Sequence, residues 1–282
     1  MRRCVISIAM IAGVVTIGVA CGDPYAAGDA SPNVADGGDA QGDSAVTDVA
    51  NGDAGSDDAS SDEGGDGGSG CPRIAEEHFT SSTSSPVGWT QSTIGSATLE
   101  WDAIGAAGGM SGSLKASVVS AAATDGRARI ERGFPMPKTP TRVRLSFAMK
   151  TTSTAGYNEP GCVLFVAGTG SGEFMLHAEI ESNQLSVDDY ARNNGTTVTT
   201  GMRTMVGAVD STHWYSVVFD LRDITDTTAR AAFTVDGTLL NERTINFPTP
   251  PDSVSVRCGV DYADQGVSAT TYVDDILVDI CE

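Results

Sequence analysis

The chain has 282 residues, room for one or two domains. Its 37 acidic side chains against 17 basic ones leave a net charge of −20. That balance excludes nucleic acid as a partner, because neutralisation of phosphate by Lys and Arg dominates such binding.

Arg2 and Arg3 precede an apolar run from Val5 to Val19. The run is shorter than the ~20 residues that a transmembrane helix needs. It ends Ile17-Gly18-Val19-Ala20-Cys21, with Gly18 where a leucine is usual. This resembles a bacterial lipoprotein signal, in which the small residue before the cysteine marks the cut and the cysteine is acylated. The resemblance implies that residues 1–20 are removed and that Cys21 is the lipidation site. Acyl chains contribute about 0.8 kcal/mol per buried CH₂, enough in number to anchor the protein to a membrane. Gly22, rather than Asp, follows the cysteine, which by the same resemblance implies an exported protein held at the outer membrane, facing the periplasm or the cell surface.

Residues 21–70 read as a tether. From Gly22 to Gly70 there are 11 Asp and one Glu, no Lys or Arg, and a single aromatic residue, Tyr25. Such a segment cannot bury enough apolar surface to offset the entropy of ordering, so a disordered acidic linker is expected. A weak calcium-binding role would suit its oxygen ligands, but no regular calcium-loop repeat occurs in it.

From Cys71 the pattern changes to short period-two runs separated by turn residues. Arg142–Lys150 is the clearest: Val143, Leu145, Phe147 and Met149 share one face, and Arg142, Arg144, Ser146, Ala148 and Lys150 the other. Cys162–Ala167 is a short apolar run. Gly168-Thr169-Gly170-Ser171-Gly172 turns the chain into Phe174–Glu181, where Phe174, Leu176, Ala178 and Ile180 point inward. Gln184–Val187 follows, then a polar loop over Tyr190–Gly195. Trp214–Leu221 and Ala229–Val235 lead to Asp236-Gly237, a two-residue hairpin signal. Val254, Val256, Cys258 and Val260 alternate with polar residues. The last strand, Thr271–Cys281, places Tyr272, Asp274, Ile276, Val278 and Ile280 on one row. About a dozen strands without a helical period predict an all-β, two-sheet antiparallel sandwich over 71–282.

The ordered series Gly88-Trp89-Thr90, Ser111-Gly112-Ser113-Leu114, Trp214-Tyr215, Val235-Asp236-Gly237 and Tyr272-Val273-Asp274-Asp275-Ile276 resembles a concanavalin A-like, laminin G-like jelly roll. It is also similar to jelly-roll carbohydrate-binding modules. In such sandwiches the first and last strands are neighbours. Cys71, Cys162, Cys258 and Cys281 remain after the signal and the lipidation site, an even number that implies two disulfides in an oxidising compartment. Three pairings are possible; Cys71–Cys281, joining the domain's ends, and Cys162–Cys258, joining two strands, are favoured.

Chemistry is sparse in the motifs. His78, His177 and His213 carry no metalloprotease or nucleophile-elbow spacing, and His177 alternates outward. Glu179-Ile180-Glu181 is the nearest match to the carboxylate strand of glycosidases on this fold. It fails at Asn183 and Gln184, so these acids are expected to be solvated. The inward Asp274 is either a rim aspartate accepting hydrogen bonds or, as the resemblance suggests, a structural calcium ligand with Glu76 or Glu77. Glycan recognition needs aromatic platforms beside polar groups. By composition the loops around Tyr157 and Asn158, around Tyr190, Arg192 and Asn194, and around Asp261 and Tyr262 qualify. Trp89, Trp101 and Trp214 are expected in structural positions. The expectation is a non-catalytic envelope domain that binds a glycan or another envelope component through its loops. The alternatives are a structural or adhesive protein and a divergent glycoside hydrolase.

Overall fold

In a computed structural model, residues 71–79, 86–102, 112–119, 124–137, 140–153, 156–201 and 203–282 are described; residues 4–11, 14–21 and 198–200 are described as backbone alone. The tether, 22–70, lies outside the described residues. Two units separate by contacts, 1–63 and 64–282. In the first, β1 (Cys4–Ile11) and β2 (Val14–Cys21) pair antiparallel.

The second unit is a sandwich of two antiparallel sheets. The front sheet runs β12 (Thr196–Thr200), β11 (Gln184–Asn193), β10 (Gly172–Glu181), β9 (Asn158–Gly168), β17 (Pro251–Ala263), β7 (Gly126–Pro135) and β4 (Thr90–Ile94), with β13 (Thr204–Ala208) also on β11. The back sheet runs β16 (Thr238–Asn246), β15 (Thr228–Val235), β14 (Tyr215–Arg222), β8 (Arg142–Ser153), β18 (Ser268–Cys281), β6 (Ser113–Val119) and β5 (Ser96–Asp102), with β3 (Arg73–Glu77) also on β18. The expected jelly-roll sandwich is therefore the fold of 71–282.

The inward rows of both sheets form the core. Leu145, Phe147, Met149, Phe219 and Phe233 from the back meet Leu164, Phe174, Leu176, Ile180 and Val256 from the front. A smaller cluster, built mainly of alanine and valine around Ala116, Ala128, Val260 and Val267, lies apart from it. Turn chemistry sets the register: Ser182-Asn183, Asn194-Gly195 and Asp236-Gly237 all take positive φ, as two-residue hairpins require. Gly161 sits at φ +85°, and a Cβ there would collide with Met149 and Phe147, so only glycine fits where β9 approaches the back sheet.

The disulfides are Cys71–Cys281, which ties the start of the domain to its last strand, and Cys162–Cys258. The second joins residues in direct register on β9 and β17. Both agree with an exported, oxidising environment.

The closing strand differs from its predicted parity. Thr271 and Val273 face inward, then a register shift falls between Asp274 and Leu277, with Asp275 at φ +51°. Ile276, Val278 and Ile280 resume the inward row. Tyr272 therefore points away from the core, because a β-bulge adds a residue and flips the phase. Asp274 is fully buried at the bulge, where its Oδ1 accepts the Asp275 N–H at 2.8 Å. Glu76 and Glu77 lie on β3 opposite Leu277 and Ile276. Glu76 meets Arg73 and His78, and Glu77 accepts the Phe79 N–H. Among the described residues no group of three or more His, Cys, Asp or Glu side chains converges as a metal cage would.

Candidate functional site

The stretches expected as ligand-binding loops are largely strand. Tyr190 and Arg192 lie within β11, Asn158 opens β9, and Asp261 and Tyr262 lie in β17; only Asn194 occupies a turn. The polar loop predicted over Tyr190–Gly195 is thus corrected. The alternation Leu185, Val187, Asp189, Ala191 carries the strand through to Asn193, and the hairpin is two residues long. Asn158 points into the sandwich and donates to Ser153 Oγ at 2.7 Å. Asn194 accepts from Ser171 Oγ at the surface. Neither belongs to the site described next.

Strand parity places one polar row per strand on the outer face of the front sheet. β10 contributes Met175, His177 and Glu179; β11 contributes Ser186, Asp188, Tyr190 and Arg192. His177 is in register with Asp188, and Tyr190 with Met175. Leu176 pairs with Leu164, beyond which the register shifts, and Val163 pairs with Arg257, so strand β9 lies between His177 and Arg257, two strand spacings or about 9.6 Å. Glu131 and Arg129 on β7, Asp261 on β17 and Glu159 on β9 complete the face.

The imidazole of His177 is buried, 1% exposed, although it faces away from the core. Its ring stands edge-on to Tyr190, centroids 5.4 Å apart. The Arg192 guanidinium lies over the Tyr190 ring, 4.7 Å from its centroid, and forms no ion pair with a carboxylate among the described residues. On the far side Arg257 stacks 4.1 Å from the Phe165 centroid and donates to Glu131 at 3.2 Å. Arg129 bridges Glu131 and Asp261.

Beneath His177, Glu179 lies 3.9 Å from Nε2. Arg203 Nε is 2.5 Å from the same carboxylate, and Ser186 Oγ donates to it at 3.1 Å. The expectation that Glu179 is solvated is corrected: it is 5% exposed, because neighbouring rows on this face pack over it. The His177 Nδ1 is buried and carries no hydrogen bond to a described residue.

These contacts sort the proton affinities. Burial alone would lower the His177 pKa, but the carboxylates of Glu159, Glu179 and Asp188 outweigh it and raise it. Burial alone would raise Glu179, but His177, Arg203 and Ser186 hold it below its usual value. Burial pushes Asp188 up to about 6 and raises Glu159, to which the Tyr157 hydroxyl donates at 2.8 Å. Tyr190 is raised, by burial first and then by Glu159, so its phenol stays protonated well above neutrality. A buried imidazole, a neutral phenol in contact with it, and an unpaired guanidinium beside both can move protons and hold an anion. Tyr157 and Tyr262, rings 6.0 Å apart, close one end of this face, where Tyr262 pairs with Glu159.

Motif spacing could not bring His177, Glu179, Glu159, Asp188, Phe165 and Arg257 together, since they are spread over the four strands β9, β10, β11 and β17. One signal was present. The outward row Glu173, Met175, His177, Glu179 mixes an apolar residue and a histidine with acids, unlike a solvated row.

No family model and no curated protein matches this sequence. Among solved structures, the chain is similar to an endo-β-1,4-glucuronan lyase from the fungus Trichoderma reesei, with TM-score 0.55, 15% identity, and coverage of 74% of this chain and 95% of that one. It also matches a mutant of alginate lyase Aly36B in complex with alginate trisaccharide (TM-score 0.48, 12% identity, 60% and 82% covered). A third match is the Emp47p carbohydrate recognition domain (TM-score 0.47, 11% identity, 72% and 93% covered). At these identities the likeness is one of fold alone, a jelly roll. The expectation of a non-catalytic domain binding through loops is corrected. The fold is shared with a polysaccharide lyase, and the polar side chains converge as an acid–base cluster across a sheet face.

Proposed function

We propose that the domain is a polysaccharide lyase that cleaves a uronic-acid-containing polymer by β-elimination. The contact of buried His177 with Tyr190, under the unpaired Arg192, carries this reading. Elimination needs three things: a cation on the uronate carboxylate, a base for the C5 proton, and an acid for the leaving oxygen. Arg192 and Arg257 flank the pair and supply the cations, which stabilise the charge that develops on the carboxylate as the proton leaves. His177 in its neutral form takes the C5 proton. The C5–H electrons become the C4=C5 double bond as the C4–O4 bond breaks. Tyr190 gives its proton to O4, which departs with the neighbouring sugar as a new reducing end. No water is consumed. Glu179 orients His177 and sets its proton affinity.

Incubation with polyglucuronate and with alginate tests the proposal. The expected product absorbs in the ultraviolet through its unsaturated uronate. New reducing ends without that absorbance, or with oxygen from labelled water, would identify a hydrolase and overturn it.

The address is part of the same reading: acylation at Cys21 anchors the chain in the outer membrane, and the acidic tether holds the domain away from the bilayer. A Cys21→Ser variant is expected in the soluble envelope fraction. Retention in the membrane fraction would refute the anchor.

A further inference from the structure

The outer face of the back sheet carries a second ordered feature. Tyr215 pairs with Met149, so Trp214, just before β14, stands beside Lys150. Lys150 pairs with Tyr272, and Tyr272 with Lys115. Their neighbours Tyr215, Met149, Val273 and Leu114 are buried in the core, so Trp214, Lys150, Tyr272 and Lys115 all point outward. The result is one row across four adjacent strand positions, alternating aromatic, cation, aromatic, cation. All four side chains are partly exposed. The Lys150 ammonium lies 5.2 Å from the Trp214 centroid and 4.8 Å from that of Tyr272. It pairs with no carboxylate among the described residues. Lys115 meets Glu100 at 3.2 Å on the edge strand.

We propose that this row is a second carbohydrate-binding surface, separate from the His177 face, which takes an acidic polysaccharide laid across the strands. The two rings are two strand spacings apart, about 9.6 Å, and so are the two ammonium groups. That distance is close to the length of two β-1,4-linked pyranose residues, so every second sugar meets a ring and the carboxylates between meet the lysines. Pyranose rings present apolar C–H faces that pack on aromatic side chains. An ammonium held against two rings is partly stripped of water and keeps its charge available to an incoming carboxylate. A polymer held at a second surface of the same domain reaches the cleavage face at a raised effective concentration. The choice of an acidic polymer rests on the function proposed above; the binding does not require elimination chemistry.

Affinity electrophoresis of the full chain, carrying His177→Ala and Tyr190→Phe to prevent cleavage, through gels containing polyglucuronate, alginate or neutral β-glucan tests this. Retardation is expected in one or both acidic gels and not in the neutral one. Trp214→Ala and Tyr272→Ala are each expected to weaken it roughly threefold to tenfold. Lys150→Glu, which keeps both rings and so guards against a folding artefact, is expected to weaken it more than either ring replacement does, leaving only what Arg192 and Arg257 on the His177 face retain. Unchanged retardation in all three variants, or none in any gel, would overturn the proposal. Loss of elimination in the parent chain with retardation intact would instead remove the lyase reading and leave this surface standing.

Discussion

Replacing Glu179 by glutamine removes one charge from beside His177 while keeping a group that can bond Ser186 and Arg203. At 3.9 Å and an effective dielectric of 20, the attraction between carboxylate and imidazolium is about 4 kcal/mol. Arg203 sits against the same carboxylate and offsets part of its field, and Glu159 and Asp188 remain, so only part of that attraction is lost. The His177 pKa is therefore expected to fall. The sign follows from the roles assigned. The neutral base becomes available at lower pH, so the rising limb of kcat/KM against pH moves in the acid direction. The assay is initial rate of ultraviolet absorbance on an acidic polymer across pH, with an NMR titration of the His177 ring as an independent readout. A limb that stays in place, or moves to higher pH, would refute His177 as the base that Glu179 tunes.

Three further outcomes are expected. Tyr190→Phe removes the proton donor but keeps the ring against His177 and Arg192, so kcat should fall by about 10²–10⁴ with KM little changed and an unaltered circular dichroism spectrum. Replacing Cys162 and Cys258 together by serine opens a loop with a sequence separation of 96, and denaturant unfolding should show a loss approaching about 4.7 kcal/mol, with β9 and β17 loosened around the site. Asp189 is buried on the core side of β11 and pairs with Arg243 from the back sheet, so Asp189→Ala strands a cation between the sheets and should cost about 3–5 kcal/mol in the same measurement.

Sheet architecture was legible in the chain because period-two alternation is a local property. Arg142–Lys150 and Phe174–Glu181 each declared which face was core, and Asp236-Gly237 declared its hairpin. The even set of four cysteines, read with the jelly-roll resemblance, pointed to the pairs found. A polar strand looked like a loop over Tyr190–Asn193, because its outward row belongs to the candidate site and its inward row offers only the small Ala191 after the buried Asp189. The bulge at Asp274 and Asp275 was also hidden, because one extra residue reverses parity without changing composition.

The sequence by itself determined that 71–282 would be a disulfide-tied antiparallel sandwich, since each strand's inward row is written in consecutive residues. Only the tertiary structure decided which polar side chains meet. His177, Tyr190, Arg192 and Arg257 come from three strands whose order in the sheet differs from their order in the chain. A site formed by register across strands leaves no spacing for a motif to carry. The burial that raises the proton affinity of Tyr190, and the carboxylates that raise that of His177 against its own burial, come together only when those rows pack against one another.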